Sequence, residues 1–253
     1  MQLPNSYYLK FAKNIYSQCG EDGIIEKIFS DLNITDGVLV EFGAWDGIYL
    51  SNIFNLWKNK NYKAILVESL KERVDDLFLL KEKFNNIEVH HKHVNQSSDH
   101  EDSIDNILSK SSFKINKDNF QLMSIDIDSC DYYIFESIQK YFPKIIIIET
   151  NTNYDPTTEY VSSNDGCSLK SICTLAEKKG YTLICHTGNA ILLRNDLIDK
   201  IPNEDFSIDN LFVSTNCVPI LQSIDFNGEI GNQIFWLTEY YNKLITETKN
   251  SFI

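Results

Sequence analysis

The sequence predicts an α/β fold of the doubly wound kind: a mostly parallel sheet, covered by helices on both faces and closed by a C-terminal β-hairpin. Short apolar runs such as Val38-Leu39-Val40, Ala64-Ile65-Leu66-Val67 and Ile145-Ile146-Ile147-Ile148 alternate with amphipathic segments of helical period. Strands buried on both faces, and the helices that cover them, read in this way. Four of the runs end in an acidic residue, Glu41, Glu68, Asp126 and Glu149. Two last apolar runs flank His186-Thr187-Gly188-Asn189, where Gly and Asn suit a tight hairpin turn.

The elements follow in order. Gly20-Glu21-Asp22 leads into a helix with Ile24, Ile25, Ile28, Phe29 and Leu32 on one face. Val38 to Val40 forms the first strand, and a helix is expected from about Ser51, capped by Ser51 or Asn52. The second strand ends at Glu68, and Val74, Leu77, Phe78 and Phe84 mark an amphipathic helix. Ile87 to His91 is the third strand, followed by a short helix around Ile104, Ile107 and Leu108. The fourth strand, Leu122 to Ile125, ends at Asp126, and Tyr133, Ile134 and Ile138 mark the next helix. Pro143 breaks the chain before the fifth strand. A helix from about Ser168 to Lys179 precedes the strands Tyr181–Cys185 and Ala190–Leu193, and Ile234 to Ile245 reads as a terminal helix.

With 253 residues, 43% hydrophobic and 23% charged, the chain can bury one substantial core, and wholesale disorder is excluded. A formal charge of −13 weighs against a nucleic-acid partner, because that affinity comes mainly from Lys and Arg on phosphates. No apolar run is long enough to cross a bilayer, and the start MQLPNSYYLKFAK lacks the apolar stretch of a secretion signal. A cytoplasmic protein without a membrane partner is therefore expected; no pattern sets its oligomeric state. The six cysteines show no C-x-x-C pair or zinc spacing and read as unbridged thiols.

In an open parallel sheet, ligands bind beyond the carboxyl ends of the strands, at the topological switch point. Acidic groups gathered there are poor for bare phosphates and good for hydroxyls, amines and cations. The first strand runs into Glu41-Phe42-Gly43-Ala44-Trp45-Asp46-Gly47, an E-x-G-x-x-x-G pattern rather than the dinucleotide G-x-G-x-x-G. Gly43 permits a tight turn and Gly47 close passage toward the next helix, as in an ordinary βα turn as well. Glu68, at the second strand's end, is placed to accept hydrogen bonds from both hydroxyls of a ribose. S-adenosylmethionine, a sulfonium cation without phosphate, suits this set.

Asp126 and Asp128 leave the fourth strand on one side, and Asp131 opens the following helix. Asp128 and Asp131 read either as a solvated loop residue and a cap or, with Asp126, as a general base or a cradle for a cation such as Mg2+. Glu149 and Asn151 face the same crevice. Asp126-Ile127-Asp128 also matches the D-x-D of metal-dependent nucleotide-sugar glycosyltransferases. Alternation puts His91 and His93 on one side and His90 on the other, so the three do not form one site; all read as surface or core histidines, with His91 and His93 as reserve bases. His186 reads as a turn residue. Trp45, Tyr49 and Tyr154 either frame an acceptor pocket or simply pack.

Five stretches recur together in one family. They are Tyr16-Ser17-Gln18-Cys19-Gly20-Glu21-Asp22; Val40 to Gly47 with Ser51-Asn52; Ser124 to Asp128 with Asp131-Tyr132; Ile148-Glu149-Thr150-Asn151; and Gly188-Asn189-Ala190. In this order they resemble the FkbM-like S-adenosylmethionine-dependent methyltransferases, and they span about residues 16 to 194. The resemblance implies a Rossmann-like class I methyltransferase fold in one domain. Residues 1–35 would be a helical lid, 36–195 the core and 196–253 a C-terminal extension. It implies a cofactor held by Gln18, Glu41, Gly43, Ala44, Trp45, Asp46, Gly47, Ser51, Asn52, Glu68 and Asp126. Glu21 and Asp22 join Gln18 in the lid.

Asp126, Asp128 and Glu149 are the catalytic candidates, with Asp126 and Asp128 the candidate Mg2+ ligands. The implied activity is O-methylation of a hydroxyl on a sugar, nucleotide-sugar or glycan. The alternatives are the glycosyltransferase and a cofactor-binding module without catalysis. Two positions depart from the family pattern: Trp45 replaces the middle glycine of E-x-G-x-G-x-G, and Ser129 replaces the glycine of D-I-D-G-x-D.

Overall fold

In a computed structural model of the chain, the structure describes residues 3–59, 61–128 and 131–223. Seven strands form one sheet in the order β3-β2-β1-β4-β5-β7-β6. They are β1 (Gly37–Phe42), β2 (Tyr62–Glu68), β3 (Ile87–His91), β4 (Phe120–Ile125), β5 (Ile145–Glu149), β6 (Tyr181–His186) and β7 (Asn189–Arg194). The pairs β1–β2, β1–β4, β2–β3 and β4–β5 are parallel, whereas β7 runs antiparallel between β5 and β6. The doubly wound sheet closed by a hairpin is thus present as expected.

Helices α1 (Glu21–Asp31), α2 (Phe54–Asn59), α3 (Lys71–Lys83), α4 (Ile104–Ser109), α5 (Asp131–Ser137) and α6 (Leu169–Lys178) accompany the strands; α7 (Ile208–Leu211) and α8 (Val218–Gln222) follow them. The expected terminal helix, Ile234 to Ile245, lies outside the described residues, as do Ser129 and Cys130. The sheet separates two cores. Leu39, Leu66 and Ile147 pack on one face with Ile24, Ile28, Phe54, Trp57 and Leu77. Val40, Ile65, Met123 and Ile148 pack on the other with Ile104, Ile107, Ile134 and Ile172. Alternate residues of each strand therefore serve opposite cores, which is why these runs are apolar throughout.

α2 begins at Phe54, later than the sequence predicts. Ser51 still caps it: its Oγ accepts from the backbone N–H of Ile53 (3.2 Å) and Phe54 (3.1 Å). At the N-termini of α4 and α6, Ser103 and Ser168 likewise accept from the N–H of Asn106 and Ser171. No helix among the described residues is long and apolar enough to cross a membrane.

Candidate active site

From β1 the chain winds outward through β2 and β3, then crosses back to β4 on the other side of β1. The switch point thus lies between the ends of β1 and β4, and there Gly43 lies against Asp126. Gly43 has φ +77°, and a Cβ on it would collide with the carbonyl oxygen of Asp126. Only glycine lets the two strand ends approach this closely. Two cavities open on either side of this contact. One, about 240 Å³, is lined by Gly43, Trp45, Glu68, Leu70, His93 and Asp126 among others. The second, about 380 Å³, is lined by Gln18, Glu41, Tyr49, Asp126, Asp128 and Glu149 among others. Gly43, Trp45, Asp126 and Asp128 border both, so the two adjoin over the switch point.

Glu68 is buried at the end of β2 and still borders the smaller cavity. Its Oε1 accepts from the N–H of Ser69 (2.7 Å) and Leu70 (2.8 Å), and its Oε2 accepts from the N–H of Trp45 (2.9 Å). A carboxylate oxygen accepts two bonds, which leaves capacity on Oε2. Glu41 has a different place. Its Oε2 accepts from Ser51 Oγ (2.6 Å) and its Oε1 from the Asn52 N–H (2.9 Å), while Asn52 Nδ2 reaches Ser124 Oγ (3.0 Å). Burial raises the Glu41 carboxyl to about 7, although these two bonds oppose the shift. Glu41 thus fastens the segment that leads to α2 under the wall of the larger cavity.

Asp46 and Gly47 border neither cavity. Asp46 is buried and accepts from the N–H of Ile48 (2.9 Å) and Tyr49 (2.8 Å), shaping the turn. Gly47 (φ +79°) faces Leu77, Leu80 and Leu66, so its role lies in helix–sheet packing. Trp45, at the family's glycine position, holds a left-handed φ of +48°. The loop keeps its glycine-like backbone despite the large side chain, whose ring stacks under the Arg73 guanidinium at 4.4 Å.

Asp126, Asp128 and Glu149 come together: one oxygen of each lies within 4.8 Å of the others. Burial, then the charges of Glu149, Asp131, Asp128 and Glu41, push the Asp126 carboxyl up to about 8. Burial and the same neighbouring aspartates raise Glu149 to about 7. Like charges this close disfavour full ionisation of the group near neutrality. Asp128 has φ +59°, and Asp131 opens α5 while accepting from the Ile127 N–H (2.9 Å). These two residues shape the loop that carries the carboxylates.

The early segment is pinned as a wall. Asp22 Oδ2 accepts from the N–H of Ile15, Tyr16 and Ser17 (2.8, 2.7 and 2.7 Å). Glu21 Oε1 accepts from Thr187 Oγ1 (2.6 Å) and Asn189 Nδ2 (3.0 Å), joining this segment to the hairpin turn. Both side chains are buried and neither borders the two cavities; exposed Gln18 is the residue of this segment that borders the larger one.

His93 borders the smaller cavity, while exposed His91 contacts the Ser69 carbonyl (3.0 Å) and His90 pairs with Glu88 (2.6 Å). His186 is fully buried and stacked on Phe212. Its Nδ1 accepts from the Val213 N–H (2.9 Å), so Nε2 carries the proton and donates to Thr150 Oγ1 (2.9 Å). Burial lowers its pKa to about 3, and the ring stays neutral. Tyr154 stacks on Tyr160 and borders neither cavity. Sequence reasoning missed Ser69, Leu70, Lys92 and Val94, which complete the smaller cavity. No motif marks them; their position just past the ends of β2 and β3 was the only signal.

No family model and no curated protein matches the chain. Among solved structures it is similar to a SAM-dependent methyltransferase from Aquifex aeolicus (12% identity, 66% of this chain and 86% of that one, TM-score 0.41). It is also similar to an S-adenosylmethionine-dependent methyltransferase from Clostridium acetobutylicum (10% identity, 72% and 92%, TM-score 0.44). A third likeness is to methyltransferase FkbM from Methylobacillus flagellatus (16% identity, 63% and 44%, TM-score 0.41). At such distances the chemistry rests on the residues themselves.

Proposed function

We propose that this chain is an S-adenosylmethionine-dependent O-methyltransferase acting on a hydroxyl of a sugar or glycan. The observation that carries the reading is the pair of adjoining cavities over Gly43 and Asp126, with Glu68 at one end and three clustered carboxylates at the other. Open capacity on Glu68 Oε2 suits a ribose hydroxyl, and the Gly43 turn allows a ligand to pass close to the backbone. S-adenosylmethionine would supply an electrophilic methyl group on a sulfonium, whose positive charge the acidic lining favours.

The chain's own residues then orient the acceptor and take its proton. Asp126 is assigned as the general base, because a carboxyl near 8 holds a proton firmly enough to accept one from a weakly acidic hydroxyl. Glu149 and Asp128 raise its basicity, and pinned Gln18 offers an amide to the acceptor. The sugar preference rests on the family resemblance. Among the described residues, the larger cavity has no Lys or Arg in its lining, which favours a neutral or cationic acceptor over a nucleotide-sugar with its diphosphate. The same lack disfavours the glycosyltransferase reading of Asp126 and Asp128.

The spacing of the three carboxylate oxygens also favours a second reading, in which Asp126, Asp128 and Glu149 would hold a hard divalent cation such as Mg2+ that would supply Lewis acidity toward the acceptor. Loss of transfer on EDTA treatment, restored by Mg2+, would select it. Calorimetry with S-adenosylhomocysteine, followed by methyl transfer to a panel of neutral sugars, tests the proposal. Binding with transfer supports it; binding without transfer leaves a cofactor-binding module; no binding refutes it.

A further inference from the structure

At the opposite edge of the sheet, where β4 begins and β7 ends, a third cavity of about 380 Å³ carries the reverse charge. Lys117, Lys140, Lys179 and Arg194 border it together with Phe120, Tyr141 and Phe142, and among the described residues no Asp or Glu is in its lining. In a chain of formal charge −13, this is a local reversal. One nearby carboxylate serves two of the cations: Asp196 takes Arg194 Nε at 2.6 Å and lies 3.4 Å from Lys117 Nζ. Arg194 also donates from Nη1 to the Phe142 carbonyl (3.2 Å), which fixes its guanidinium.

Lys179 is half-buried, donates to the Ile138 carbonyl (2.8 Å), and stands over the rings of Phe135 (5.7 Å) and Phe142 (5.9 Å). A partly desolvated ammonium attracts an anion more strongly than a solvated surface lysine does, although the charges of Glu136 and Asp105 also act on Lys179. Half-buried Ile115, Tyr141 and Phe142 supply an apolar wall, which a fully hydrated inorganic ion would not use. The volume lies within the range of small-molecule sites.

We propose that this cavity is a second ligand site, separate from the cleft over Gly43, for a small organic anion with a planar apolar body, such as an aromatic carboxylate, sulfonate or phosphate ester. The site does not depend on the methyltransferase reading.

The test titrates the full chain with 8-anilinonaphthalene-1-sulfonate, following its fluorescence. Saturable binding is expected, weakened at least fivefold in Lys140→Glu and in Lys117→Glu. Both lysines are exposed, so the variants should match the parent in circular dichroism and melting temperature. Binding should survive saturating S-adenosylhomocysteine. Titration without saturation, affinity unchanged in both variants, or displacement by S-adenosylhomocysteine would each overturn the proposal. So would displacement by an equal concentration of inorganic phosphate, because a bare anion would then suffice.

Discussion

The backbone N–H of Trp45 donates to Oε2 of Glu68 at 2.9 Å, so one carboxylate ties the loop after β1 to the tip of β2 while bordering a cavity. In the proposed reading the same oxygen would meet the ribose, and the loop's shape and the ligand's fit would then depend on each other.

Glu68→Gln should therefore weaken S-adenosylhomocysteine binding by about tenfold, the loss of a charge-assisted hydrogen bond of roughly 1.5 kcal/mol. Glu68→Ala should weaken it further, because Trp45, Ser69 and Leu70 also lose their acceptor. Calorimetric titration of both variants checks the order; equal affinity in parent and Glu68→Ala would remove the ribose assignment.

Asp126→Asn should leave cofactor affinity within about twofold and lower kcat by about a hundredfold or more, the usual contribution of a general base. The rate should rise with pH through the 7–8 range as the carboxyls of Glu149 and Asp126 lose protons. The same shifts act on stability with the opposite sign. Between the ordinary carboxylate range and about 8, the folded chain holds a proton that the unfolded chain has released, so stability falls as pH rises across that window. Melting temperatures at pH 5.5 and 8.5 should differ in that direction, and by less in Asp126→Asn. A pH-independent rate, or an Asp126→Asn enzyme as fast as its parent, would reassign the base.

Gly43→Ala forces a Cβ into the Asp126 carbonyl at a left-handed φ of +77°. A loss of at least about 2 kcal/mol is expected from the strain and the parting of β1 from β4. Chemical denaturation measures it, and the variant should also lose cofactor affinity.

His186→Leu removes the acceptor of the Val213 N–H and the donor to Thr150 Oγ1 in a fully buried place. The unpaired groups should cost about 1–3 kcal/mol, seen as a lower denaturation midpoint. Because burial holds the ring's pKa near 3 while the unfolded imidazole titrates near its ordinary 6.5, the parent gains stability as pH rises from 5.5 to 8, and the loss in His186→Leu should be larger at pH 8 than at pH 5.5.

The sheet was legible in the sequence because its strands feed both cores, so Ala64 to Val67 and Ile145 to Ile148 are apolar at every step. The acidic strand ends were legible for the same reason: Glu41, Asp126 and Glu149 stand where such runs stop. What each carboxylate does was not legible. Glu41 and Glu68 both end strands, yet Glu41 holds Ser51 and Asn52 with one bond on each oxygen at the larger cavity, while Glu68 holds Trp45, Ser69 and Leu70 at the smaller one. The difference depends on how the following loop folds back. His186 read as a turn residue for a similar reason, since its partner Val213 lies far along the chain. The late start of α2 and the insertion of β7 beside β5 arise from loop geometry and tertiary pairing, which local periodicity does not encode.

Trp45 brings an optical consequence. Its indole is 36% exposed at the border of two cavities and lies 4.4 Å from a guanidinium, whereas Trp57 is 1% exposed in the core. A fluorophore thus stands at the doorway with a cation stacked on it. Emission from this one indole, isolated by subtracting the spectrum of Trp45→Phe, reports arrivals in the cleft in real time and without a label.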